Sequence, residues 1–281
     1  MSTGSTEGTG SAGGAERTGG PVLVTGGTGT LGREVVRRLL ARDRAVRVMS
    51  RWARPASDRE PYEWASCDLV KGHRVEAAVV GAGAIVHCAT TFTGDDGAVT
   101  RGLLRAVRDS GAECRHFVHV SIVGVDRVPL GYYRKKLAAE REVERSGLPY
   151  TVLRATQFHS LVARMTTAQR WLPAVCVPSG VSFQPIDPGE VAERLVDLVQ
   201  GAPLGRADDL AGPQVRTAAD LARGTLAAHG LRRPVVPLRL PGAAFRGYRE
   251  GGHLAPERAV GRVTFEEHLA ATTGAAGRPA R

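Results

Sequence analysis

The chain predicts an α/β fold, a doubly wound parallel sheet with a small C-terminal substrate lobe. Three observations lead there. Apolar strand-like runs alternate with amphipathic helix-like stretches from residue 21 to about 157, the spacing of right-handed βαβ units. A glycine-rich loop separates the first strand from the first helix. After Thr156 the alternation loosens, as expected of a lobe that returns in part to the main sheet and closes over its crevice. With 281 residues, 42% hydrophobic and 23% charged, the chain can bury a core of ordinary globular kind.

Pro21 to Thr25 reads as a short apolar strand. Leu31, Val35, Val36, Leu39 and Leu40 then share one helical face, with Arg33, Arg37 and Arg38 opposite. Val46 to Ser50 is a second strand, Tyr62 to Cys67 a weaker third, and His73 to Val80 a short helix. A buried strand from Ala84 to Ala89 leads into a polar loop, Thr90 to Asp96, and a helix through Asp109. The strand Phe117 to Ser121, a helix from about Tyr132 to Ser146 and the strand Tyr150 to Ala155 complete the core, residues 21–157. In the lobe, residues 158–272, the pattern predicts a helix from Phe158 to Arg170 and one strand from Val175 to Phe183. Helices over Glu190 to Val199 and Ala218 to His229, a strand over Val235 to Leu238 and short pieces to Leu269 follow. Met1 to Gly20 and the tail after Thr273 lack apolar periodicity and read as a disordered leader and tail.

The formal charge of +10 comes from 35 Arg and three Lys spread through every segment. Without a basic stripe, zinc-finger spacing or RNA-binding aromatic signature, this reads as a solvated basic surface and not as a nucleic-acid partner. No apolar run approaches the ~20 residues of a membrane span. The Met1 segment lacks the basic start and apolar stretch of a secretory signal, which points to a cytoplasmic protein. Cys67, Cys88, Cys114 and Cys176 form no Cys-x-x-Cys pair, so they read as reduced thiols without a structural zinc. His116 and His119 stand three apart on a strand and face opposite sides, so no metal site is expected from them.

Thr25-Gly26-Gly27-Thr28-Gly29-Thr30-Leu31-Gly32 lies between strand and helix, the context a dinucleotide loop requires. Gly26 suits the tight turn, Gly29 leaves room for a pyrophosphate, and Gly32 lets the helix pack; Thr28, Thr30 and Leu31 supply backbone at the helix start. No Gly-Lys-Ser/Thr follows, which excludes a nucleotide-triphosphate loop. About 20 residues on, an acidic residue would bind a ribose 2′-hydroxyl. The chain has Ser50 and Arg51 there, with Arg54 close behind. Ser50 can bond a 2′-phosphate and Arg51 can pair with its charge, so NADP(H) is favoured over NAD(H).

Ser121 ends its strand on the ligand side of the sheet, and Tyr132 and Lys136, four apart, share one helical face. Two of the three lysines lie in this helix although Arg fills almost every other basic position. A compact ammonium whose pKa can shift is a physical reason to resist Arg; a solvated helix face is the alternative.

These residues resemble a short-chain dehydrogenase/reductase. The wording of His119-Val120-Ser121-Ile122-Val123-Gly124-Val125-Asp126, Gly131-Tyr132-Tyr133, Leu137-Ala138-Ala139-Glu140 and Tyr150 to Phe158 is similar to the atypical, NmrA-like branch. The resemblance covers about residues 21 to 270 and implies a Rossmann-like NAD(P)-binding fold. It implies that Lys136 holds the nicotinamide ribose and lowers the pKa of Tyr132, that Tyr132 protonates the substrate as hydride arrives, and that Ser121 steadies developing charge. It further implies cofactor contacts from Asp68 and Leu69 to the adenine, from Cys88, Ala89 and Thr90 by backbone, and from Leu153, Arg154, Ala155 and Thr156 beside the nicotinamide. Thr91, Phe92, Ile122, Tyr133, Gln157, Phe158 and His159 are candidates for the substrate pocket, and Tyr133 is an alternative to Tyr132. The family's usual active-site Asn has no counterpart, because the chain contains no Asn. The expectation is an NADPH-dependent oxidoreductase that reduces a carbonyl, imine or quinone of a small organic molecule. The alternatives are a non-catalytic NADP-sensing regulator, since some members of this branch have degraded sites, and an NAD(P)-using epimerase or dehydratase.

Overall fold

The runs around Leu23, Val48 and Val86 are apolar on both strand faces, so they need cover from two sides. A computed structural model of the chain, which describes residues 19–91 and 94–276, supplies it. In chain order the core elements are β1 (Val22–Thr25), α1 (Thr30–Ala41), β2 (Val46–Ser50), β3 (Glu63–Ser66), α2 (Val75–Val79), β4 (Ala84–His87), α3 (Asp96–Asp109), β5 (Phe117–Ile122), α4 (Gly131–Glu144) and β6 (Tyr150–Ala155). There follow α5 (His159–Thr167), β7 (Val175–Pro178), β8 (Ser182–Phe183), α6 (Pro188–Gln200), β9 (Gly205–Arg206), β10 (Arg216–Thr217), α7 (Ala218–Ala228), β11 (Val235–Leu238), α8 (Ala243–Arg249) and α9 (Phe265–Ala276).

A seven-stranded sheet runs β3-β2-β1-β4-β5-β6-β9, and every neighbouring pair is parallel. The doubly wound expectation therefore holds. The strand order reverses between β1 and β4, and a crevice at the carboxyl ends of such strands is where ligands bind in open α/β sheets. Alternate residues serve opposite faces. Val24, Val48, Val86, Val118 and Leu153 pack under α1 and α6, whereas Leu23, Met49, Ile85, Phe117 and Val152 pack under α2, α3 and α4. Each fully buried side chain of this size contributes about 1.5–3 kcal/mol of transfer free energy. Helix α6 is far from α1 in sequence, yet Arg38 of α1 and Arg42, the residue that caps its C-terminal end, pair with Glu193 and Asp197 of α6. The second half of the chain thus completes the core of the first.

A separate apolar cluster joins α5, β7, β8, α7 and α9 through Val162, Val175, Phe183, Leu221, Phe265 and Leu269. Here the sequence expectation needs correction. The single strand from Val175 to Phe183 is two strands in different small sheets, β7 with β11 and β8 with β10. Pro178 has no amide hydrogen to continue a ladder, and Gly180 turns the chain at φ +70. Strands β9 and β10 are too short to carry a period-two signal. Helix α9 runs to Ala276, past Thr273. The leader up to residue 18, residues 277–281 and Phe92 lie outside the described residues. Among the described residues no helix is long and apolar enough to cross a membrane.

Candidate active site

The glycine loop turns directly out of β1. Gly26 has φ +65, and a Cβ there would sit 2.9 Å from backbone atoms of Ala89. The ends of β1 and β4 can approach this closely only at glycine. The contact is tied by Cys88 N–H donating to Thr25 O at 3.2 Å and Ala89 N–H donating to Thr25 Oγ1 at 3.2 Å. Gly32 is equally constrained, since a Cβ would lie 2.2 Å from Gly26 O. Gly29 differs: a Cβ there meets only Gly26 O, at 3.2 Å, and otherwise faces open space. Gly29 is the N-cap of α1, no side chain caps that end, and no acidic residue occupies its first turn. Uncapped amides and the helix dipole suit this end of α1 to an anion.

At the end of β2, Ser50 is buried and its Oγ accepts from Trp52 N–H at 3.2 Å. Arg51 is exposed, lies over the Trp52 ring at 5.1 Å, and pairs with no carboxylate among the described residues. Arg54 is occupied elsewhere. Its terminal nitrogens bind Asp58 and the carbonyls of Glu60 and Tyr62, and its guanidinium covers the Tyr62 ring. The expectation that Arg54 reads a 2′-phosphate thus meets terminal nitrogens already engaged within the protein, while its Nε has no partner among the described residues. Asp68 caps no helix, because α2 starts only at Val75; its Oδ1 instead accepts from Val70 and Lys71 amides and closes a turn that includes Leu69.

Lys136 is 4% exposed, and its ammonium donates to Val120 O at 3.0 Å. Burial pulls its pKa down, while the charges of Asp96, Glu140 and Cys88 oppose that shift. Ser121 is buried, and its Oγ has no hydrogen-bond partner among the described residues. Tyr132 is half-buried and its hydroxyl lies 3.0 Å from Thr90 Oγ1. Burial pushes the Tyr132 phenol up, the Thr90 contact opposes this, and Asp96 adds to the rise. The Asp96 carboxylate is thus one charge that raises the phenol. Tyr133 points into a different environment, 3% exposed, accepting from Gln157 Nε2 at 3.1 Å and packed edge-on against Tyr248. Burial drives its pKa well up. Beneath Lys136, His87 and His119 stack at 5.2 Å, and burial takes the His87 pKa down to about 3.

A family model described as NAD(P)H-binding matches residues 26–169, just over half of the 281 residues. The chain belongs to the NAD(P)H-binding family. Over 206 residues this NAD(P)H-binding chain is 31% identical to a divinyl chlorophyllide a 8-vinyl-reductase of Oryza sativa subsp. indica, covering 63% of the chain and 50% of the relative. Over 152 residues it is 29% identical to a photosystem II assembly factor of Trieres chinensis, covering 49% of the chain and 46% of the relative. The chain spans about half the length of these curated relatives. Among solved structures it is similar to an NADPH-dependent quinone oxidoreductase of Escherichia coli complexed with NADPH, at TM-score 0.76 and 18% identity, covering 89% of this chain and 99% of that one. It is likewise similar to the triphenylmethane reductase of Citrobacter sp. complexed with NADP(H), at TM-score 0.72 and 17% identity, covering 90% and 99%. At such identities the likeness is one of fold.

The NAD(P)H-binding assignment fits the residues present. The space above Gly29 and the uncapped start of α1 suit a pyrophosphate, and the buried Ser121 hydroxyl, without a hydrogen-bond partner among the described residues, suits a polar group of a ligand. Several candidates have other occupations. Arg154 is held by Glu140 at 2.8 and 2.6 Å and by Asp126 at 2.8 Å, so its side chain ties β6 to α4. His159 is fully buried, donates to or accepts from no site residue, bonds Val263 O at 3.0 Å and packs against Phe265 and His268. Leu153 is buried under α1 and α6, and Phe158 packs against the same cluster. Ala155 and Thr156 lie at the carboxyl end of β6, where Thr156 Oγ1 accepts from Gly212 N–H. Ile122 packs with Tyr132 and Tyr133. The sequence reading missed Asp96, whose carboxylate accepts from Thr90 Oγ1 at 2.7 Å and from Thr91 N–H at 2.6 Å. Its only sequence signal is an Asp-Asp pair opening an amphipathic helix, where Asp95 is the cap and Asp96 is left over.

Proposed function

We propose that the chain is an NADPH-dependent oxidoreductase of the short-chain dehydrogenase/reductase type, close to the NmrA-like branch. It reduces a carbonyl, imine or quinone group of a small organic molecule in the cytoplasm. The observation that carries this reading is a continuous path from the glycine loop to a phenol. Gly26 abuts Ala89, Thr90 follows Ala89, and the Thr90 hydroxyl meets Tyr132. Bound NADPH supplies a hydride. Gly26 to Gly32 would take the pyrophosphate, Ser50 and Arg51 the 2′-phosphate, Asp68 and Leu69 the adenine, and Cys88 to Thr90 with Ala155 and Thr156 the nicotinamide end. Arg51, exposed and without a carboxylate partner among the described residues, supports NADP(H) over NAD(H). Tyr132 then gives the proton to the substrate atom that receives the hydride. Ser121, with no partner for its hydroxyl among the described residues, can donate to the developing anion, and Lys136 adds a positive charge held off from solvent. Thr91, Ile122, Tyr133 and Gln157 line the approach to this phenol. Four free cysteines suit a reducing compartment.

Tyr132→Phe should leave NADPH affinity nearly intact and lower turnover by ~10²–10⁴, the range for losing a general acid. Lys136→Ala should weaken both. Parent-like turnover in Tyr132→Phe would overturn the assignment of the donor. A second reading, a dinucleotide-dependent partner protein without turnover, is favoured by the similarity to a photosystem II assembly factor. It predicts NADPH binding but no reduction of any member of a carbonyl, imine and quinone panel.

A further inference from the structure

A polar chain that the Tyr-x-x-x-Lys pattern does not contain lies beside the proposed proton donor. Tyr132 Oη is 3.0 Å from Thr90 Oγ1, and Thr90 Oγ1 donates to Asp96 Oδ2 at 2.7 Å. A hydroxyl carries one proton. With that proton engaged at Asp96, Thr90 can only accept from Tyr132, so the phenol O–H is the donor of the pair. Asp96 is 3% exposed, and its Oδ1 is fixed by the Thr91 amide at 2.6 Å and the Thr91 hydroxyl at 2.5 Å. We propose that Thr90 and Asp96 are positioning residues that hold Tyr132 as a protonated phenol, ready to give a proton and not to take one. This rests on the reading of Tyr132 as proton donor, and its consequence is a site set for reduction.

Forming the phenolate would require Thr90 to turn its proton away from Asp96. That leaves an oxygen of the buried Asp96 carboxylate without its donor and sets a second anion near the first, and both raise the cost of the phenolate. Burial already pushes the Tyr132 phenol up and the Asp96 charge adds to it; the Thr90 hydroxyl could counter this only by donating to Tyr132. The other titratable groups do not reverse the balance. Tyr133, next along α4, is itself pushed up by burial. The Lys136 ammonium binds Val120 O, and its charge acts on Asp96, Glu140 and Cys88. His87 and His119 below it are held neutral by burial.

The titration of Tyr132 itself is the test, read by NMR of protein carrying carbon-13-labelled tyrosine, with Tyr132→Phe identifying the signal. No substrate is needed. Asp96→Asn should lower the Tyr132 pKa by about one unit, a tenfold gain in acidity. Asp96→Ser, which keeps a polar group for the Thr91 amide, should act in the same direction if Asn disturbs the loop. Thr90→Ser should retain the parent value. An unmoved or raised Tyr132 titration in both Asp96 variants overturns the inference, as does a Thr90→Ser shift as large as that of Asp96→Asn. The two readings fail separately. If Tyr132→Phe abolishes turnover while the Asp96 variants leave the titration unmoved, the donor stands and the positioning falls. If the titration moves but Tyr132→Phe turns over normally, the positioning stands and the donor falls.

Discussion

Replacing Arg154 by Met would break the most deeply buried ion pair that positions the candidate site. The Arg154 side chain is 11% exposed and that of Glu140 only 2%, and both Glu140 oxygens accept from the guanidinium, at 2.8 and 2.6 Å. Removing one member strands the other as a buried charge, which typically costs about 3–5 kcal/mol. Against a domain stability of ~5–15 kcal/mol that is a large fraction. At roughly 2–4 °C per kcal/mol for a chain of about this size, Tm should fall by roughly 6–20 °C. The Asp126 arm is different. Its side chain is 48% exposed, so Asp126→Ala should cost no more than ~1 kcal/mol. The assay is urea unfolding at neutral pH followed by circular dichroism, on Arg154→Met, Glu140→Leu and the double variant. The double variant replaces charge with apolar volume and should recover most of the loss, since such replacements are often neutral or stabilising. A single variant within ~0.5 kcal/mol of the parent, the scatter of ordinary surface changes, would refute this account of β6 and α4. NADPH affinity of the folded double variant discriminates further: if Arg154 holds Glu140 and not a cofactor phosphate, that affinity stays close to the parent's.

Three other outcomes follow from the same geometry. Gly29→Val should fold but lose dinucleotide binding in calorimetry, because its side chain enters the open space above α1, whereas Gly32→Val should lose the fold, since even a Cβ would lie 2.2 Å from Gly26 O; equal behaviour of the two would contradict the placement of the pyrophosphate. Arg51→Asp should weaken NADPH by roughly ten- to a hundred-fold, the loss of one charge-assisted contact worth about 1.5–3 kcal/mol, with far less effect on NADH; an unchanged affinity ratio would mean that another group reads the 2′-phosphate. Stability should fall as pH drops below ~6.5, because burial lowers the folded pKa of His87 to about 3 and of His159 and His253 to about 4. The unfolded chain takes up those protons first, and each histidine removes about 1.4 kcal/mol per pH unit until its folded pKa is reached. A urea midpoint that is flat between pH 7 and 5 would show that these rings are not held neutral.

The sequence by itself determined those parts whose signals are local. The bounds of β2, β6 and β11 coincide with the expected strands because runs of strand-forming residues are written directly in side-chain type. The glycine loop was legible for the same reason: Gly26 and Gly32 stand where any Cβ would strike backbone. Tyr132 and Lys136 were legible as one helical face. Partner choice was not. Arg51, Arg54 and Arg154 look alike in a chain with 35 arginines, and only the folded chain gives Arg54 to Asp58 and Tyr62, Arg154 to Glu140 and Asp126, and leaves Arg51 exposed over the Trp52 ring. The return of β9 to β6 and the approach of Asp96 and Thr90 to Tyr132, across 42 positions for the Thr90 contact, are likewise tertiary. The physical reason is that propensity and periodicity act over a few residues. The charge, proton and burial of a side chain depend instead on which strands the fold sets side by side.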